Sequence, residues 1–180
     1  MKVLVILLAV LCLAAGGAAV FVLSGSYNIA ANDPHWPLTE WFLGVVRERS
    51  ISAHSKGISI VPAKDSRVLI INLGVSNYHE MCRLCHSAPG YPRSEVARGL
   101  YPAPPDFTSK DFKRRKDAEV YWIVKNGIKM TGMAAFGATH SEEELWGIVF
   151  FTQLLGGLTP EEYTAMVKAA GLQKKEDHHH

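Results

Sequence analysis

Cys82-Arg83-Leu84-Cys85-His86 carries more information than any other stretch of this chain. It holds two of the 3 cysteines in 180 residues, three positions apart and followed at once by a histidine. Three cysteines are too few for a disulfide scaffold. A structural disulfide across so short a loop would be strained. Half of a zinc site needs a second cysteine pair, which the chain lacks. A thiol–disulfide redox pair belongs to an alternating strand–helix pattern, and the flanking sequence does not have one.

What remains is the attachment pattern for haem c. Each thiol adds across one vinyl group of the porphyrin, and the two-residue spacer sets the sulfurs at the right separation. The adjacent histidine then puts its imidazole under the iron as an axial ligand. Cys82 and Cys85 are therefore the expected attachment points of one haem c, and His86 the expected fifth iron ligand. The sixth should be a soft or imidazole donor on a loop. Gly127-Ile128-Lys129-Met130-Thr131-Gly132-Met133-Ala134-Ala135-Phe136-Gly137 offers two methionines. Met133 follows a glycine in mid-loop and is the expected ligand. Met130 lies close to the preceding helix end, where packing is the expected role. His35, His54, His79 and His140 are rival donors in principle, expected instead as surface or capping residues.

Outward from this motif the pattern is helical from about Ser66 to Leu172, so the expected class is all-α. Val68 to Tyr78 is largely apolar and leads into the cysteine pair. Asp117 to Asn126 reads as a helix closed by Gly127. Ser141 and Glu144 form a capping box for a helix whose stripe is Leu145, Ile148, Val149 and Leu155. Gly156-Gly157 ends it, and Thr159-Pro160-Glu161-Glu162 opens a last helix by the same device. Residues 87–116 and 127–140 are long irregular stretches of the kind that enclose something. Within the first, Tyr101-Pro102-Ala103-Pro104-Pro105 is a stiff candidate to supply a carbonyl for the second ring N–H of His86. Trp122 is weighed as a donor to a haem propionate, with core packing as the alternative.

Upstream, Val3 to Leu23 is an uncharged run of 21 residues behind Lys2. As a helix it would span roughly 30 Å, the thickness of a bilayer's hydrocarbon core. An uncleaved anchor is favoured over a removed signal peptide, because the run is long and no convincing small-x-small cleavage site follows. Both readings export the rest of the chain. Residues 24–36 are polar and read as a tether. Residues 37–54 place Leu38, Trp41, Phe42, Val45 and Val46 at helical spacing. Three fates are open to that amphipathic helix, of which packing on its own domain is the commonest; the membrane surface and a partner subunit are the others. The expected division is thus 1–23 anchor, 24–60 tether and amphipathic helix, 61–158 haem domain, and 159–180 C-terminal helix and tail.

Residues 66–155 resemble a class I c-type cytochrome, the bacterial membrane-anchored mono-haem kind that serves respiratory dehydrogenases and oxidases. The motifs are Gly74-x-x-x-Tyr78, Cys82 to Gly90, Gly132 to Gly137, and the aromatic-rich helix after Ser141. The resemblance implies that the first and last helices cross at a small residue facing an aromatic, here Gly74 against Trp146 or Phe150. Ala134 stands where such proteins often have a proline, a departure that loosens the loop without removing the sulfur donor.

The expected function is therefore single-electron transfer between membrane or periplasmic redox partners, with no catalytic residue. The expected location is the extracytoplasmic side of a bacterial inner membrane, with residues 3–23 in the lipid bilayer. A haem peroxidase or gas sensor with a displaceable sixth ligand is the alternative, and a structural assembly subunit a weaker third. The formal charge of +2 gives no argument for nucleic acid, and none is expected as a partner. Lys110, Lys113, Arg114, Arg115 and Lys116 would steer an acidic redox partner if they flank an exposed haem edge. No function is assigned to Cys12 or to His178-His180.

Overall fold

A computed structural model of the chain describes residues 1–59 and 67–172. The expected domain start at residue 61 and the His178–His180 run lie outside them. The chain forms two compact units, Met1–Pro34 and His35–His180.

In the first unit, helix α1 runs from Lys2 to Leu23 without a buried residue, long and apolar enough to cross a membrane. Beyond it the chain turns on local bonds. The Ser24 amide donates to Val20, the Ser24 hydroxyl to the Phe21 carbonyl, and Asn28 to Asp33.

The second unit is mostly helical, with no strand among the described residues and one isolated bridge, Ala88 to Tyr91. Its helices are α2 (Pro37–His54), α3 (Arg67–Asn77), α4 (Arg83–His86), α5 (Glu95–Gly99), α6 (Asp117–Asn126), α7 (Glu142–Leu154) and α8 (Pro160–Ala169). The boundaries follow local chemistry. Ser141 and Thr159 each accept from the backbone three residues on, while Glu144 and Glu162 reach back to the cap amides. Gly127, at φ 66°, closes α6. The short α5, capped by Ser94, interrupts a stretch expected to be irregular.

The core is organised by α7, in which every residue from Leu145 to Thr152 is buried. The aromatic side of α7 thus exceeds the four-residue stripe that periodicity gives. One apolar cluster joins α7 to Ile70, Tyr121 and Val124; the other joins it to Val75, Tyr78, Tyr163 and Val167. Cys82 borders both.

The crossing of α3 and α7 corrects the expected pairing. Gly74 does not face Trp146 or Phe150; it lies on the backbone of Gly147. A Cβ on Gly74 would overlap the Gly147 carbonyl, and one on Gly147 would overlap the Ile70 carbonyl. Two facing glycines let the backbones touch, so the neighbouring aromatics lie beside the crossing rather than in it. Trp146 stacks on Tyr121 at 4.4 Å.

Helix α2 does not follow the commonest expectation. Leu38, Trp41, Phe42, Val45 and Val46 are exposed, and Ile51 is its buried residue. What ties α2 to its unit is the Arg115–Glu48 ion pair at 2.7 Å and the His54 ring against Trp122 at 5.6 Å.

Candidate functional site

The site begins where α3 changes register. Tyr78–Cys82 forms one π-helical turn, closed by the Arg83 amide on the Tyr78 carbonyl. A π turn inserts one residue into a helix and re-aims the side chains beyond it, a device found often at functional positions. It carries the chain into α4, which holds Cys85 and His86. After His86 the backbone turns sharply: Ser87 takes φ 64°, a region costly for a residue with a Cβ. Two bonds hold it there, from the Ser87 amide to the Arg83 carbonyl at 3.0 Å and from the Tyr78 hydroxyl to the Ser87 carbonyl at 2.6 Å. Tyr78 is fully buried, so this anchor cannot be exchanged for water.

His86 is buried. Its Nδ1 lies 2.8 Å from the Pro105 carbonyl, and a carbonyl only accepts, so Nδ1 carries the proton. The acceptor belongs to the Pro-rich stretch, itself braced by Arg93 on the Pro104 carbonyl at 2.7 Å. Phe107 stacks on the imidazole at 4.6 Å and 9°. Burial lowers the imidazole pKa, more than the Pro105 bond raises it. The ring is therefore neutral at pH 7, with its lone pair on Nε2, the form that binds a metal.

Neither Cys82 nor Cys85 is in a disulfide. Burial, reinforced by Cys85, pushes the Cys82 thiol up to about 12. An apolar wall that disfavours thiolate suits a neutral sulfur such as a thioether.

The two methionines separate clearly. Met130 does not pack as expected: it is 88 % exposed, on a turn where its φ is 58°. Met133 is half-buried against the cluster that holds Trp146 and Phe150 and that Cys82 also borders. Its loop is fixed through the backbone: Ile128 donates to the Met133 carbonyl at 3.1 Å, and Thr131 Oγ1 accepts from the Met133 amide at 3.1 Å. Phe136 and Gly137 donate to the last carbonyls of α6. Gly127 makes this close approach possible, since its Cβ would lie 2.8 Å from the Met133 carbonyl oxygen.

The rival histidines are engaged elsewhere. His140 contacts Thr139 and meets Phe136 edge-on, and the His54 Nδ1 lies 2.8 Å from the Ser50 carbonyl. His35 packs edge-on against Tyr101. His79 is not the surface residue expected: it is half-buried, 2.9 Å from the hydroxyl of the buried Tyr163. Trp122 packs against α2. Of the basic cluster, Arg115 is committed to Glu48 and Glu119, whereas Lys110, Lys113, Arg114 and Lys116 are exposed or half-exposed.

These residues fit a covalent haem. The Cys82 sulfur borders the core with Cys85 one helical turn on, a neutral imidazole is locked in the metal-binding tautomer, and a thioether approaches the same apolar cluster. Two buried polar atoms, Ser87 Oγ and Trp146 Nε1, have no protein partner; the indole is a donor available to a bound polar group. Among the described residues no group of three or more His, Cys, Asp and Glu side chains converges. Sequence reasoning missed the π turn, Tyr78 as the clamp on Ser87, and Phe107 as the plate against His86.

Compared with known families, residues 71–151 match the model for cytochrome c oxidase, cbb3-type, subunit III. No curated protein matches the chain. Together with the site's geometry, the match makes residues 71–151 a class I c-type cytochrome domain, an electron-transfer module for covalent haem c.

Proposed function

We propose that this chain is a membrane-tethered electron carrier. In this reading Cys82 and Cys85 hold haem c, and His86 and Met133 are its axial ligands. Lys2–Leu23 anchors the chain in a bacterial inner membrane with residues 61–158, the haem domain, on the periplasmic side. Residues 24–60 carry the tether and α2, and residues 159–180 the last helix and tail. The donor and acceptor are respiratory proteins, and the family match favours a cytochrome oxidase complex as the setting.

The observation that carries this reading is the His86–Pro105 hydrogen bond within the Cys82–His86 segment. It orients the ring, raises the basicity of Nε2 and leaves that atom for iron. When bound, haem c supplies a one-electron Fe(III)/Fe(II) couple. The chain's part is to hold both ligands in place in either state. A thioether donor and an apolar pocket both disfavour the more highly charged oxidised state and so raise the potential. The exposed lysines and Arg114 give an acidic partner a salt-dependent approach.

The ligand assignment is tested by variants of the holoprotein. Met133→Ala should abolish the ferric methionine–iron charge-transfer band, admit CO to the ferrous form and lower the potential. Met130→Ala should change none of these. The reverse pattern would move the ligand to Met130; ready CO binding by the unaltered protein would favour the peroxidase or sensor alternative.

A further inference from the structure

The apolar face of α2 points away from the unit it belongs to. Leu38, Trp41, Phe42 and Val45 follow the i, i+3, i+4, i+7 spacing of one helical face and are 75, 63, 57 and 41 % exposed. At about 100° per residue they fall within an arc of about 100°. Ile51, Arg47 and His54, which include the buried residue and the ring against Trp122, lie on the far side. A helix that stabilised its own domain would be turned the other way.

We infer that this face lies in the headgroup–acyl boundary of the bilayer that α1 spans, so that the second unit rests on lipid through α2. Three observations choose lipid over a partner chain. Residues 24–36, thirteen in all, connect α1 to α2 and reach at most about 45 Å. The bilayer is thus the one apolar phase that the covalent chain keeps permanently at high local concentration, whereas a protein partner must be supplied. The arc joins aliphatic side chains to Trp41, an aromatic of the kind enriched at the membrane interface. Finally, Glu40, Arg47, Glu48 and Arg49 keep the 18-residue α2 from spanning, so an in-plane position is the one open to it in a membrane. The inference rests on reading Lys2–Leu23 as a membrane span.

The test uses the full-length holoprotein in lipid nanodiscs at one copy per disc. A spin label is carried at Phe42→Cys or Val45→Cys in a Cys12→Ser background, at Lys113→Cys as an aqueous control, or at native Cys12 as a depth control. Oxygen and a nickel chelate report accessibility to lipid and to water. Oxygen should exceed nickel several-fold at positions 42 and 45, at a depth of about 5–10 Å, with the reverse at 113. Adding Leu38→Glu and Trp41→Glu should move the label at 45 into water without changing the haem spectrum. Nickel-dominated labels at 42 and 45 beside a deep Cys12 label would overturn this inference alone. A water-exposed Cys12 label would overturn the membrane span and the inference with it. Labels shielded from both reagents would mean that protein covers the face, and discs loaded with two copies would then identify a second copy as the occupant; that too overturns the inference.

Discussion

Helices α2 and α7 both carry runs of apolar side chains, yet they occupy opposite environments. α7 buries eight consecutive residues, Leu145 to Thr152, between α3, α6 and α8. α2 buries Ile51 and turns its apolar face outward. Periodicity shows that a helix has an apolar face. It does not say which phase covers that face, because burial depends on which elements reach it through the chain's topology. α7 is reached from every side, while α2 is met from one side, by α6 and the loop that carries Arg115.

The contrast can be broken most sharply in the core. Phe151→Ala removes a fully buried ring and should cost about 3–5 kcal/mol. Phe42→Ala in α2 should change stability by no more than about 0.5 kcal/mol. Denaturant unfolding of the holoprotein measures both, and equal losses would mean that α2 is part of the core after all.

A second comparison uses the glycines. Gly74→Ala or Gly147→Ala forces backbones apart and should cost about 3 kcal/mol. That corresponds to a Tm lower by roughly 6–12 °C. Gly44, on α2, has nothing within 4 Å of a Cβ. Gly44→Ala should therefore stabilise by about 0.5–1 kcal/mol, through helix propensity alone. A large loss at Gly44 would reveal a contact on α2 absent from this structure.

The smallest effect concerns the contact that ties α2 down. Partial burial raises the Glu48 pKa, but Arg115 and Arg47 outweigh it and hold the carboxyl below the usual glutamate range. A folded-state pKa below the unfolded one means that the contribution is present at neutral pH and lost as pH falls through the folded-state value. For so exposed a pair it amounts to a few tenths of a kcal/mol. The protection of α2 amides relative to their intrinsic exchange rates should fall by less than about twofold as pH drops through the folded-state value, and Glu48→Gln should remove that acid step while leaving the haem spectrum unchanged.

Local chemistry was legible because its partners are close in sequence. The cysteine–histidine spacing, the methionine loop, both capping boxes and Gly127 each depend on residues within a turn or two, and the elements formed where those signals stand. The Pro-rich stretch was legible as stiff, though not that Pro105 would be the residue to reach His86. Three features were not legible. Gly74 was expected against an aromatic and meets Gly147, since the register of two crossing helices is settled by the closest approach of whole surfaces. His79 reads as a surface histidine and is bonded to Tyr163, 84 residues away. The π turn Tyr78–Cys82 re-aims the chain into α4, and no residue type announces it.

The sequence by itself determined the chemistry: two thiols and an imidazole at attachment spacing, thioethers on a later loop, and an apolar segment long enough to cross a membrane. These are properties of residue type and short-range spacing, and any fold of the chain would keep them. Only the tertiary structure decided which methionine borders the core, which carbonyl holds His86, which glycines meet, and that α2 presents its apolar face outward. Those depend on distances between residues far apart in the chain, which exist only once the helices have packed.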